Sequence, residues 1–186
     1  MAYFEEIENP KVELVEGAEV LMSPASTGHN RIAGNLFLII GNYLRGKRCR
    51  VFYETKVIFD EKNHYIPDLI VVCDRKKIKE NAVEGPPDLV VEILSPSTQK
   101  RDLGVKKRVY EKFGVKEYWI VNPKSKSVEV YHLLENRFEL DSVCAVLQDW
   151  EWEAMTEKEK REISLNLKVS LYDDLVIDVR EIFDVY

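Results

Sequence analysis

Two apolar runs, each interrupted by one acidic residue, constrain this chain more than anything else in it. In Tyr65-Ile66-Pro67-Asp68-Leu69-Ile70-Val71-Val72-Cys73, apolar residues occupy both alternating positions, the pattern of a strand covered on both faces. Asp88-Leu89-Val90-Val91-Glu92-Ile93-Leu94 repeats it, with Glu92 sharing a face with Val90 and Leu94. Asp68 and Glu92 are therefore expected to point into apolar surroundings. Burying an ionised carboxylate without a partner costs several kcal/mol or forces protonation, and two on nearby strands also repel each other. Something positive must stand between them, a bound cation or a basic side chain in a salt bridge, unless the two are edge-exposed residues. Pro67 donates nothing to a ladder and so marks an edge or a bulge, and bulges gather at active sites, where they re-aim a side chain.

The rest of the chain reads as alternating elements without repeats or linkers. Strands are expected at residues 12–15 and 18–22 around a turn at Glu16-Gly17. A helix follows, on the spacing of Ile32, Leu36, Ile39, Ile40 and Tyr43, and ends by Gly46. Three strand-like runs cover residues 50–59, 65–73 and 88–94. A second helix spans about 98–113 and is closed by Gly114 at the C-cap position. Strands at 117–121 and 127–133 flank the turn Asn122-Pro123-Lys124-Ser125. Beyond Glu135 a short exposed helix at 156–161 and a final element at 175–183 are expected.

If a cation binds between Asp68 and Glu92, the second helix must supply a further group. Three strand steps carry the chain roughly 10 Å from Glu92 to Ser95, and eight helical steps carry it roughly 12 Å back from Thr98 to Lys106. Lys106 can thus return alongside Glu92. Asp102, Lys106 and Tyr110 share one stripe, bordered by Leu103, while Lys107 and Arg108 turn away. The bland alternative for Lys106 is a lysine that snorkels to the surface.

A chain of 186 residues, 45% hydrophobic and 32% charged, closes one core and is read as a single domain, 1–186. Its net charge of −6 argues against non-specific coating of nucleic acid. Lys100, Arg101 and Lys107 belong to a locally basic stretch that either contacts nucleic acid or is a solvated helix face. The acidic start, residues 1–8, lacks signal-peptide character, and no stretch has membrane-spanning length; a cytoplasmic protein without membrane contact is expected. Cys49, Cys73 and Cys144 are too few and scattered for a disulfide framework or structural zinc, and His29, His64 and His132 are equally dispersed.

The blocks Ile66-Pro67-Asp68, Pro87-Asp88-Leu89-Val90-Val91-Glu92-Ile93-Leu94-Ser95-Pro96-Ser97-Thr98 and Gly114-Val115-Lys116-Glu117-Tyr118-Trp119-Ile120-Val121, with the Asp102, Lys106, Tyr110 spacing, resemble the Uma-type family of predicted endonucleases within the PD-(D/E)XK superfamily. The resemblance covers roughly residues 12–133. Residues 135–161 have no match, and 175–183 resemble the family's usual ending. It implies an α/β, restriction-endonuclease-like fold, with a mixed central β-sheet flanked by helices. It also implies acidic ligands at Asp68 and Glu92, joined by the carbonyl of Ile93, for Mg²⁺ or Mn²⁺. Where the parent pattern has a lysine two residues after Glu92, this chain has Leu94, and Lys106 is the position to which the family's catalytic lysine migrates. His29 and Glu16 match recurrent polar positions, and Asp102 and Tyr110 accompany Lys106. The implied activity is phosphodiester hydrolysis in nucleic acid, DNA foremost, for which a two-fold homodimer would be a common way to cut both strands. The alternative is an inactive relative that binds nucleic acid or protein.

Overall fold

The computed structural model describes residues 10–184, so the acidic opening, residues 1–8, lies outside the described residues. The elements run β1 (Val12–Val15), β2 (Ala18–Leu21), α1 (Thr27–Tyr43), β3 (Arg50–Tyr53), β4 (Val57–Asp60), β5 (Asn63–Tyr65), β6 (Leu69–Val72), β7 (Val83–Glu84) and β8 (Leu89–Ile93). A composite helix follows: α2 (Gln99–Arg101), a π-helical turn (Asp102–Lys106) and α3 (Lys107–Phe113). The remainder is β9 (Glu117–Asn122), β10 (Ser127–Leu134), β11 (Arg137–Ala145), α4 (Asp149–Ala154), α5 (Glu157–Glu162), β12 (Ile163–Ser164), β13 (Asn166–Lys168), β14 (Val176–Asp178) and α6 (Val179–Ile182). Among the described residues no helix is long and apolar enough to cross a membrane.

A seven-stranded sheet in the order β12-β11-β10-β9-β8-β6-β3 forms the centre. It is mixed: β8 runs parallel to β9 and antiparallel to β6. One face packs on α1 and the C-terminal elements, where Ile32, Leu36 and Ile40 meet Leu69, Val91, Trp119 and Ile177. The other is covered by α3 and a smaller sheet of order β2-β1-β5-β4-β7, where Val57, Phe59, Tyr65 and Tyr110 meet Ile70, Val90, Tyr118 and Ile120. This two-sided cover is what the apolar runs in β6 and β8 require.

Two expected strands divide. Residues 50–59 split into β3 and β4 because Glu54 takes a left-handed φ of 41° and turns the chain out of the central sheet into the small one. Residues 65–73 split into β5 and β6 on either side of Pro67, which has no N–H to give either ladder. The chain changes sheet at that point, leaving Asp68 just before β6. The second helix also differs from one regular helix over 98–113. Its widened middle turn contains Gly104, and Leu103, expected beside the buried stripe, is 43% exposed.

The cysteines need a correction as well. Cys49 and Cys73 are disulfide-bonded. The antiparallel register Arg50↔Val72, extended by one residue, sets them face to face, and a sequence separation of 24 residues gives no hint of it. Cys144 is free and buried.

Leu36 is fully buried on α1 against the sheet. Leu36→Ala is expected to lower the unfolding free energy by about 3 kcal/mol, through lost transfer energy plus a cavity, as read by urea denaturation.

Candidate active site

The antiparallel register Ile70↔Val90 and Leu69↔Val91, carried one residue further, brings Asp68 opposite Glu92 at the end of the central sheet. Both line an open cleft of 820 Å³, together with Glu13, His29, Ile93 and Lys106. The charge of Asp68 is felt at Glu92, where it adds to the raising of the carboxylate pKa that burial begins.

Lys106 is 2% exposed, so it is buried rather than snorkelling. Its Nζ lies 2.8 Å from Glu13 Oε1, 3.0 Å from Glu92 Oε1 and 3.6 Å from Asp102 Oδ1. The π turn places Asp102 and Lys106 on the inner side together, and the Tyr118 hydroxyl donates to the Asp102 carbonyl at 3.0 Å. The Tyr110 hydroxyl donates to Glu92 Oε1 at 2.6 Å, so one carboxylate oxygen is held by a phenol and an ammonium. Burial opposes the charge of Lys106, but Glu92, Glu13 and Asp102 outweigh it and hold its pKa above the ordinary lysine value. Burial pushes Glu92 well above the usual carboxylate range, and Lys106 offsets this only in part. Asp102 is raised for the same reason.

Asp68 is fixed from two directions. Its Oδ2 accepts from the Ile93 backbone N–H at 2.7 Å, and its Oδ1 lies 3.3 Å from His29 Nε2. His29 stands in the first turn of α1, whose N-cap Ser26 accepts from the His29 N–H at 3.2 Å. Burial lowers the His29 pKa, but Asp68 and the Ile93 backbone reverse the effect and leave it raised.

The structure thus brings Asp68, Glu92, Ile93, Lys106, Asp102, Tyr110 and His29 together. It does not bring in Glu16, which sits in the exposed β1–β2 turn with φ 51° and donates its backbone N–H to Asn63. Glu13 takes a place that sequence reading missed. It is 1% exposed, and its Oε1 accepts from the Ile66 N–H at 2.9 Å as well as facing Lys106. The signal was available: in β1, Glu13 and Val15 alternate onto the buried side, as Glu92 does with Val90. Glu117, also buried, belongs elsewhere. It accepts from Trp119 Nε1 at 2.6 Å and from the Ser170 N–H at 2.9 Å, tying the C-terminal segment to β9. Of the expected nucleic-acid contacts, Lys107 Nζ stands 3.3 Å above the Tyr131 ring, and Lys100, Arg101 and Lys107 are absent from the cleft lining.

Among the described residues, no cluster of three or more His, Cys, Asp or Glu forms a ready metal cage. Asp68 and Glu92 offer carboxylate oxygens beside the Ile93 backbone, a small, hard, oxygen-only set. That chemistry fits Mg²⁺ or Mn²⁺, ions that retain water ligands and need few protein groups, and it does not suit a soft thiophilic metal.

The family model described as "Uma2: Putative restriction endonuclease" matches residues 1–166. An uncharacterized protein of Synechocystis, slr1290, is 33% identical over 132 residues, covering 69% of this chain and 70% of that protein. A second from the same organism, sll1609, is 25% identical over 139 residues, covering 72% and 78%. A crystal structure from Anabaena variabilis, described as a putative nuclease belonging to DUF820, superposes with a TM-score of 0.71 at 21% identity, covering 95% of this chain and 91% of that one. The shared architecture is the restriction-endonuclease-like fold.

Lys106→Met leaves Glu13, Glu92 and Asp102 buried without their cation, and is expected to cost about 3–5 kcal/mol near neutral pH in metal-free buffer. Glu92 and Asp102 have raised folded-state pKa values, so the folded state binds protons before the unfolded state does. Their penalty grows as pH rises above the unfolded carboxylate pKa and fades as pH falls toward it. Urea denaturation at stepped pH should therefore show the gap between Lys106→Met and wild type narrowing on acidification.

Proposed function

The chain belongs to the Uma2 family, and on that premise we propose that it is a metal-dependent endonuclease that hydrolyses phosphodiester bonds of nucleic acid, DNA foremost, in the cleft at the end of the central sheet. One observation carries the reading: a buried ammonium held against Glu92, with Asp68 opposite, at the base of an open cleft. A purely structural salt bridge accounts for Glu92 and Lys106 but not for the placing of Asp68 and His29 on the cleft wall.

Asp68, Glu92 and the Ile93 carbonyl would hold Mg²⁺ or Mn²⁺, which supplies Lewis acidity, neutralising charge on the scissile phosphate and lowering the pKa of the attacking water. Lys106 remains charged throughout the working pH range, because its pKa is raised. It therefore acts as a fixed positive charge beside the phosphate rather than as a proton acceptor. Tyr110 and Lys106 orient one oxygen of Glu92, leaving its carboxylate plane fixed. His29 and the Ile93 N–H do the same for Asp68. Glu13 and Asp102 keep Lys106 in place from its other side.

Cleavage of mixed nucleic-acid substrates is expected with Mg²⁺ or Mn²⁺ and not with chelator. Asp68→Asn should lower it by roughly 10²–10³-fold and abolish the rise in melting temperature produced by Mg²⁺. Lys106→Ala should lose most cleavage in the folded fraction, while Lys107→Ala, rotated about 100° along the helix, should cleave as wild type. A folded Lys106→Ala of full activity would remove the lysine from the mechanism. Metal-dependent melting without cleavage of any nucleic acid would favour the binding-module reading.

A further inference from the structure

The cleft floor is acidic. Of the side chains lining the cleft, Glu13, Glu54, Asp68, Glu92 and Asp184 are acidic, and Lys106 is already enclosed by carboxylates. A polyanionic strand approaching this floor meets repulsion unless cations on the walls receive its phosphates. The lining contains two further cationic side chains, Lys124 and Lys126, and both are exposed. Neither has a salt-bridge partner among the described residues, which leaves both ammonium groups available to a ligand.

These lysines sit on the turn between β9 and β10, and that turn is held firmly. Asn122 Oδ1 accepts from the backbone N–H of Lys124 at 3.0 Å, and the Lys126 carbonyl accepts from Val146 N–H at 3.0 Å. Lys126 takes a left-handed φ of 46°, where glycine or asparagine is more at ease. β9 lies beside β8 in parallel register, Glu92 opposite Ile120 and Ile93 opposite Val121, so its C-terminal turn emerges at the same end of the sheet as the Glu92 carboxylate. Ser95, Ser97 and Thr98 also line the cleft, their hydroxyls linked through Ser95 Oγ at 3.0 Å.

We infer that the β9–β10 turn is the backbone grip of the site, with Lys124 and Lys126 receiving phosphates of the nucleic-acid strand that flank the scissile bond. The inference rests on the endonuclease reading of the cleft. It moves the phosphate contacts from the basic stretch of the second helix to a different element, one fixed by the sheet.

The test is binding of a fluorescently labelled oligonucleotide duplex, and of its single strand, titrated across salt concentrations in EDTA and in parallel in Ca²⁺. For Lys124→Ala combined with Lys126→Ala, affinity should fall roughly tenfold or more, and the slope of log K against log salt should flatten by about two. Lys100→Ala combined with Lys107→Ala should leave both quantities as in wild type. Because Lys124 and Lys126 are exposed, melting temperature should not change, and circular dichroism establishes that the variant is folded. Wild-type binding that the Lys124/Lys126 variant retains in full, with the same slope, overturns the grip while leaving the endonuclease reading standing. Failure of wild type to bind either oligonucleotide in both buffers overturns the two together.

Discussion

One ammonium group, that of Lys106, lets three acidic side chains occupy the interior. Without it Glu13, Glu92 and Asp102 would be buried anions without a cation, each opposing the fold by several kcal/mol. Glu13 comes from the small sheet, Glu92 from the central sheet, and Asp102 and Lys106 from the second helix. The cluster is therefore a junction of three layers, and its geometry fixes how the helix and the small sheet sit over β8. A hydrophobic residue in place of each member could satisfy burial at lower cost. Keeping the charges buys an electrostatically defined pocket whose positive centre cannot drift.

Local irregularities deliver the functional groups to that junction. Pro67 ends one strand and frees the chain to switch sheets, which leaves Asp68 at the mouth instead of in the middle of a ladder. The π turn adds width to the second helix where Asp102 and Lys106 must both face inward, a use for which such turns are known at functional sites. Glu54, at a left-handed φ, turns the chain after β3 so that β4 can join the small sheet. Regular elements supply rigidity, and these three departures supply placement.

Under the proposed function, the acidic floor and the exposed lysines of the β9–β10 turn would divide the work of handling a phosphate backbone. Carboxylates suit a divalent ion and repel a bare polyanion, while exposed ammonium groups attract the polyanion at long range. An overall charge of −6 is compatible with this division because the favourable potential needs to exist only along the cleft wall.

The sequence by itself determined the strand identity of the Glu92 segment and of residues 69–72 beside Asp68, because continuous apolar alternation admits little else. It also determined the return of Lys106 to Glu92, because strand rise and helix rise are fixed lengths. The Gly114 stop was legible for the same local reason. The family resemblance points to Glu16, whereas Glu13 holds the lysine, and the inward alternation of β1 that places it is only four residues long. Sheet switching at Pro67 and Glu54, the Cys49–Cys73 bond, the widened helical turn and the arrival of Lys124 and Lys126 at the cleft were decided by tertiary structure alone. Each depends on which strands become neighbours and in what register. That is settled by burial summed over the whole sheet, a quantity no local window of sequence contains.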